Sequence, residues 1–318
     1  MRPTARQFEF ASIPFLGLIA VLARASGAPL VLFPELGALA HDVLKRPSGA
    51  WARAPMQLVL TPLATAIIGI VISRAMDFGV AAVLLDVLAS VMIIGWMRSP
   101  IAPAISAGLL PLVLGVTSPL YPLAISVGTT LLAAVVLVVA KYRMPSSTAA
   151  AYPGRDHVDN VMEAAPSTLG WVPAFFGVVA LLASLAEATH LRFILFPPLV
   201  VIGFEMFAHS AVCPWIERPW RLPLACGLSS AGGLGLALLF GPGMVSVMLA
   251  MAVGIAILRL LDLHAPPVMA VGLLPMIMKA PGPSLILSVV LGSSLMMIAF
   301  AAWRRIEITI KADPGPGC

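Results

Sequence analysis

Residues 164 positions apart in this chain keep matching. Trp51 pairs with Trp215, Pro55 with Pro219, Gly69 with Gly233, Pro103 with Pro267 and Pro119 with Pro283. Whole runs recur as well. Gly108-Leu109-Leu110-Pro111 returns as Gly272-Leu273-Leu274-Pro275, and Gly128-Thr129-Thr130-Leu131 as Gly292-Ser293-Ser294-Leu295. Upstream the offset slips by one, so that Leu32-Phe33-Pro34 matches Leu195-Phe196-Pro197. A nearly constant offset over such a length predicts one structural unit used twice. The expected organisation is a first unit over residues 1–143, a linker over 144–168 and a second unit over 169–318 with a short tail. The linker is the long polar stretch, with Pro145, Ser146, Ser147, Pro153, Gly154, Arg155, Asp156, His157, Asp159 and Asn160, and reads as solvated and cytoplasmic.

Composition decides what surrounds these units. Of 318 residues, 60% are hydrophobic and 10% charged, and the mean hydropathy is +1.02. A soluble domain carries about 25% charged residues, so lipid has to cover much of this surface. The net charge of +5 is dispersed between apolar blocks, which argues for a membrane orientation signal and against a nucleic-acid surface. Cys213, Cys226 and Cys318 form no CxxC or Cys/His cluster, so neither a metal site nor a disulfide framework is expected. Arg2 and Arg6 before an apolar run imitate a signal peptide. The matching apolar run from Trp171 to Glu187 favours a retained first helix over residues 8–24.

Each unit shows six apolar segments: 8–24, 28–44, 55–74, 78–97, 99–116 and 119–141, then 169–188, 191–208, 221–240, 243–261, 265–279 and 282–303. A helix across a bilayer needs about 20 residues. The second and fifth segments of each unit carry prolines in their first half, at Pro29 and Pro34, Pro100 and Pro103, Pro197 and Pro198, and Pro266 and Pro267. Proline lacks an N–H and suits a helix start, so each segment reads as an extended lead-in followed by a half-helix. The predicted fold is an all-α membrane protein of two tandem parallel repeats, each with four full helices and two Pro-broken half-helix segments. If all twelve segments cross and the N-terminus is cytoplasmic, only Arg24, Arg74, Arg192 and Lys279 of the 19 basic residues lie outside. That is a strong positive-inside pattern, expected of an inner-membrane protein with both termini cytoplasmic. Re-entrant short segments would erase it.

Half-helix starts expose free N–H groups and a positive dipole end. Such backbone has to be buried in protein or line a cavity, and secondary transporters place substrate sites there. The candidate substrate layer, near the bilayer midplane, is Phe33, Pro34, Glu35 and Gly37; Pro103 and Ser106; Phe196, Pro197 and Pro198; and Pro266 and Pro267. Plain proline kinks without a ligand are the other reading. Glu35, directly after Pro34, is a helix-start residue whose charge competes with an anion. Asp42, Glu205 and above all the isolated Asp86 are candidates for proton coupling, against interfacial or structural roles. Arg259 with Asp262 reads as a local ion pair, and Arg24 with Glu187 as a pair between the units. His41, His209 and His264 read as interfacial. The chain holds no GxxxxGK[ST], GxGxxG, nucleophile elbow or HExxH, so neither ATP-driven transport nor enzymatic activity is expected, and no cofactor.

The run Ala265-Pro266-Pro267-Val268-Met269-Ala270-Val271-Gly272-Leu273-Leu274-Pro275 resembles the HPP family of membrane proteins, named for a His-Pro-Pro motif followed by small residues and an apolar run. Leu32-Phe33-Pro34-Glu35-Leu36-Gly37 with Arg53-Ala54-Pro55, and Leu195-Phe196-Pro197-Pro198 with Arg218-Pro219, are similar to that family's other landmark. The motif histidine position holds Ala265 here and Ile101 in the first unit, with His264 one place early. Each unit would equal one family unit, usually described with four spans. Members have been connected with nitrite transport. The resemblance implies a secondary transporter or channel for a small inorganic anion, nitrite being one candidate. The alternative is a non-transporting scaffold or sensor subunit. Lipid is the expected partner, nucleic acid is not, and the oligomeric state stays open.

Overall fold

The computed structural model describes residues 9–142, 158, 160–164, 166 and 169–312. Most of the linker therefore lies outside the described residues. The described ones form helices and turns, with no strand among them. In chain order the helices are α1 Ser12–Ala25, α2 Glu35–Lys45, α3 Pro55–Ala75, α4 Val80–Met97, α5 Ala104–Leu114 and α6 Tyr121–Tyr142. The later ones are α7 Val172–Thr189, α8 Pro197–Ala208, α9 Arg221–Phe240, α10 Met244–Leu260, α11 Pro267–Leu273 and α12 Ser284–Ala312.

Sequence chemistry sets their ends. Pro34, Pro103 and Pro266 stand at the cap positions of α2, α5 and α11, and Pro197 opens α8. Gly115 ends α5 in the left-handed region that glycine enters at no steric cost. Arg98 after α4 and Asp262 after α10 both take a left-handed φ, +48° and +46°, and lie 164 residues apart.

The segments broken by proline are short, with 11, 11, 12 and 7 residues in α2, α5, α8 and α11. Among the described residues, six helices are long and apolar enough to cross a membrane: α3, α4, α6, α7, α9 and α12. Two more expected at full length, α1 and α10, reach 14 and 17 residues. Their outer faces carry an apolar skin, including Trp96, Leu239 and Leu260 at 77% exposure or more. Such a surface is compatible with a multi-pass membrane protein.

α3 packs on α4, α5 and α6, and α9 packs on α10, α11 and α12. The two parts of the chain also interlock. α1 lies on α10 while α7 lies on α4, and α2 lies on α11 while α8 lies on α5. The closest approaches are made by glycine. A Cβ added to Gly69 on α3 would overlap the backbone carbonyl of Gly108 on α5, and one on Gly233 of α9 would overlap that of Gly272 on α11. Buried hydroxyls clip the same helix pairs. Thr65 Oγ1 donates to the Ala104 carbonyl at 2.6 Å, and Ser229 Oγ to the Val268 carbonyl at 2.9 Å.

Backbone carbonyls cannot move aside as a flexible side chain can. Gly69→Ala and Gly233→Ala should therefore each lower stability by about 1–3 kcal/mol, read as a lower thermal midpoint in detergent. Gly95→Ala and Gly235→Ala, whose added methyl meets no atom within 4 Å, should leave the midpoint nearly unchanged.

Candidate functional site

The proline-started helices bring a polar set into the apolar interior around α5. Glu35, in the first turn of α2, is fully buried, and its carboxylate lies beside the Ser106 hydroxyl of α5. That contact falls short of full hydrogen-bond geometry, and neither the Glu35 oxygens nor Ser106 Oγ has a well-formed partner. Asp86 and Ser90 of α4 reach α5 at Gly108. A Cβ there would stand 2.6 Å from Ser90 Oγ and 3.1 Å from both Asp86 oxygens, so only glycine leaves room. Asp86 is also fully buried, and its oxygens and Ser90 Oγ have no partner. Ser106 and Gly108 are two residues apart on a helix, roughly 200° around its axis. The two carboxylates thus face α5 from opposite sides. Tyr121, opening α6, is buried nearby and donates its hydroxyl to the Ala107 carbonyl at 2.8 Å.

This set belongs to one half of the chain. The positions matching Glu35, Asp86, Ser90, Ser106 and Tyr121 are Pro198, Ala250, Gly254, Ala270 and Leu285. An uncompensated charge in such surroundings costs several kcal/mol. Each acid therefore needs a proton or a nearby cation to lower that cost.

The remaining substrate-layer candidates, Phe33, Pro34, Gly37, Pro103, Phe196, Pro197, Pro198, Pro266 and Pro267, are all buried. They do not form one level ring. α2 and α11 run side by side in opposite directions, with Gly37 packed on Leu273 and Asp42 beside His264. The start of α11 thus sits lower along α2 than Glu35 does.

A second polar cluster lies at the C-terminal end of α2. Arg46 Nε donates to Asp42 Oδ1 at 2.8 Å, and its guanidinium also pairs with Glu163. His264, leading into α11, places Nε2 3.7 Å from Asp42 Oδ1. A narrow cleft lined by Trp51, Trp215, Glu163, Glu205, His264 and Pro266, the cap of α11, opens here. Next to it, Glu9 holds Arg259 through Oε2 and lies 3.6 Å from His41 and 3.9 Å from Lys45.

Several expectations change. Arg259 pairs with Glu9 rather than with Asp262, which lies 4.0 Å from Arg221, because the left-handed turn at Asp262 carries that carboxylate off the helix face. Arg24 and Glu187 do not meet. Glu187 accepts the Val80 N–H at the start of α4, where a carboxylate complements the helix dipole, and Arg24 lies beside Gly243 at the start of α10. The linker is not wholly solvated. Met162 and Glu163 are buried, and His209 Nε2 donates to the Ala164 carbonyl at 3.0 Å. Burial lowers the His209 pKa. Arg46 and His209, 163 positions apart, thus hold the linker from both sides.

Ser90, Tyr121, Glu9 and Glu163 were not singled out from the sequence. For Ser90 a signal exists, since it lies four residues after Asp86 on one helix face. Glu163 carries none, because its partners are distant in the chain. No protein-family model, no curated protein and no solved structure matches this chain.

The two clusters should respond oppositely to neutralisation. Glu35→Gln and Asp86→Asn, which remove charges that stabilise nothing, should leave the thermal midpoint unchanged or raise it. Arg46→Gln, which strands Asp42 and Glu163, should cost about 3–5 kcal/mol, measured in the same detergent series.

Proposed function

We propose that this chain is a secondary transporter, built from two copies of one helical unit, that moves a small solute in exchange for or together with protons. The observation that carries the reading is the pair of fully buried, unpartnered carboxylates Glu35 and Asp86 on either side of a half-helix. Acids of this kind inside an apolar helical bundle are costly to keep and serve proton relays and ion pathways. Proton linkage follows if both acids load from one side and release to the other as the interlocked halves rock. The 164-residue spacing shared by the Gly69 and Gly233 contacts, by the Thr65 and Ser229 clips and by the Arg98 and Asp262 turns supports the two-copy organisation.

A small inorganic anion is the substrate class we favour. The starts of α2, α5, α8 and α11 carry the positive end of a helix dipole, which favours an anion even though N–H groups such as those of Leu36, Ala104, Leu199 and Val268 already donate to carbonyls just before each helix, and the likeness to the HPP family points to nitrite among the candidates. Neutralised Glu35 would remove its competition with such an anion at the start of α2. The cleft at Trp51 and Trp215 is lined in part by Pro266, the cap of α11, which places a small opening beside one of these helix starts. In this reading the basic residues near that cleft, Lys45, Arg46, Arg53 and Arg259, face the cytoplasm. The backbone-to-backbone packing at Gly69 and Gly233 favours a second reading, a rigid membrane scaffold without flux.

Uptake into proteoliposomes separates the two. Nitrite, nitrate, formate, bicarbonate and sulfate are offered with and without a pH gradient. Saturable uptake of at least one anion, driven by the gradient and reduced about tenfold or more in Asp86→Asn and Glu35→Gln, is expected. Absence of flux for every anion, in vesicles holding folded protein, would favour the scaffold.

A further inference from the structure

We infer that Asp42, Glu163 and His264 form a binding site for one divalent transition-metal ion, of the Zn²⁺ or Mn²⁺ class. Each residue offers one donor atom, and the three atoms lie within 4.8 Å of one another. Two ligands about 2.1 Å from one metal in a tetrahedron stand about 3.4 Å apart. The 3.7 Å between His264 Nε2 and Asp42 Oδ1 is close to that spacing and too long for a hydrogen bond. One imidazole with two carboxylates is a mixed nitrogen and oxygen set suited to these ions rather than to Mg²⁺.

Burial supplies an independent indication of a ligand. Asp42 is fully buried and Glu163 is 6% exposed, yet Asp42 Oδ2 and Glu163 Oε2 have no hydrogen-bond partner. Unused lone pairs of this kind are costly in a protein interior. Glu163 and His264 both line the cleft that opens at this point, so an ion can arrive with water and keep water at its free positions. Glu205 lines the same cleft and supplies a further carboxylate near the entrance.

Arg46 is the competitor. Its guanidinium pairs with both acids, and a metal ion takes its place by turning the side chain away. The exchange of one cation for another keeps the site compensated, and it predicts affinity in the micromolar rather than the picomolar range. The ligands come from the end of α2, from the linker and from the residue leading toward α11. Occupancy therefore ties three distant parts of the chain together. The inference does not depend on the transport reading.

The full-length protein, purified in detergent and treated with chelator, is titrated with Zn²⁺ and separately with Mn²⁺ by calorimetry. Wild type should bind one ion per chain with a raised thermal midpoint. Glu163→Gln and His264→Gln should each weaken binding by at least about tenfold, while His190→Gln, at an exposed turn, should not. Equal affinity across all four proteins would mean adventitious binding only and would overturn the site. So would the absence of binding at millimolar metal. Co²⁺ on the wild type gives a reading that needs no variant. Visible bands of nitrogen and oxygen coordination are expected, and an intense thiolate charge-transfer band would assign the metal to cysteine instead.

Discussion

Interrupted helices cannot face hydrocarbon. Each of α2, α5, α8 and α11 begins after a proline-marked break, and its first N–H groups close tight turns on the carbonyls just before it, as Leu36 does on Phe33, Ala104 on Ile101, Leu199 on Phe196 and Val268 on Ala265. In a bilayer, the irregular backbone of such a break has to be covered by protein. The arrangement of the other helices follows from that requirement. α3 and α9 approach the short helices closely enough for backbone to touch backbone, which is why Gly69, Gly108, Gly233 and Gly272 stand where they do. Thr65 and Ser229 then donate hydroxyl hydrogen bonds to the Ala104 and Val268 carbonyls in the first turns of α5 and α11.

Much of this architecture could be read from the residues. The proline positions mark the four short helices, because a residue without an N–H belongs at a helix start. Apolar run lengths mark eight full helices, of which six reach spanning length while α1 and α10 stop at 14 and 17 residues. The recurrence of Gly69 at Gly233 is tied to a contact that forms twice. Pair partners were less readable. Arg259 and Asp262 are neighbours on a helical wheel, but a left-handed turn at Asp262 separates them, and the partner of Arg259 lies at Glu9. Glu187 serves a helix start more than 100 residues away. Asp86 stood out because nothing polar flanks it. Glu163 did not, because a carboxylate in a polar segment is ordinary until its surroundings are known.

The two halves of the chain match in sequence at many positions but not in what they bury. Where the first half carries Glu9 and His41, the matching positions are Val172 and Phe204. Phe204 joins Trp171 and Phe175 in an edge-to-face aromatic cluster that continues to Phe207, Phe300 and Trp303. Aromatic packing of this kind stabilises without any titratable group. Almost all of the buried charge therefore gathers in one half and along its seam with the other.

The interlocked packing has a consequence for how the protein is made. α1 docks on α10, which begins about 220 residues after α1 ends. At roughly 5–20 residues per second of synthesis, the first helix waits on the order of 10–40 s for its neighbour. Through that interval its partner-facing side, including Gly17 where Met248 later seats, has only lipid or a helper protein against it. Folding of the first half is in this sense a loan of surface, recovered only once α10 has been made.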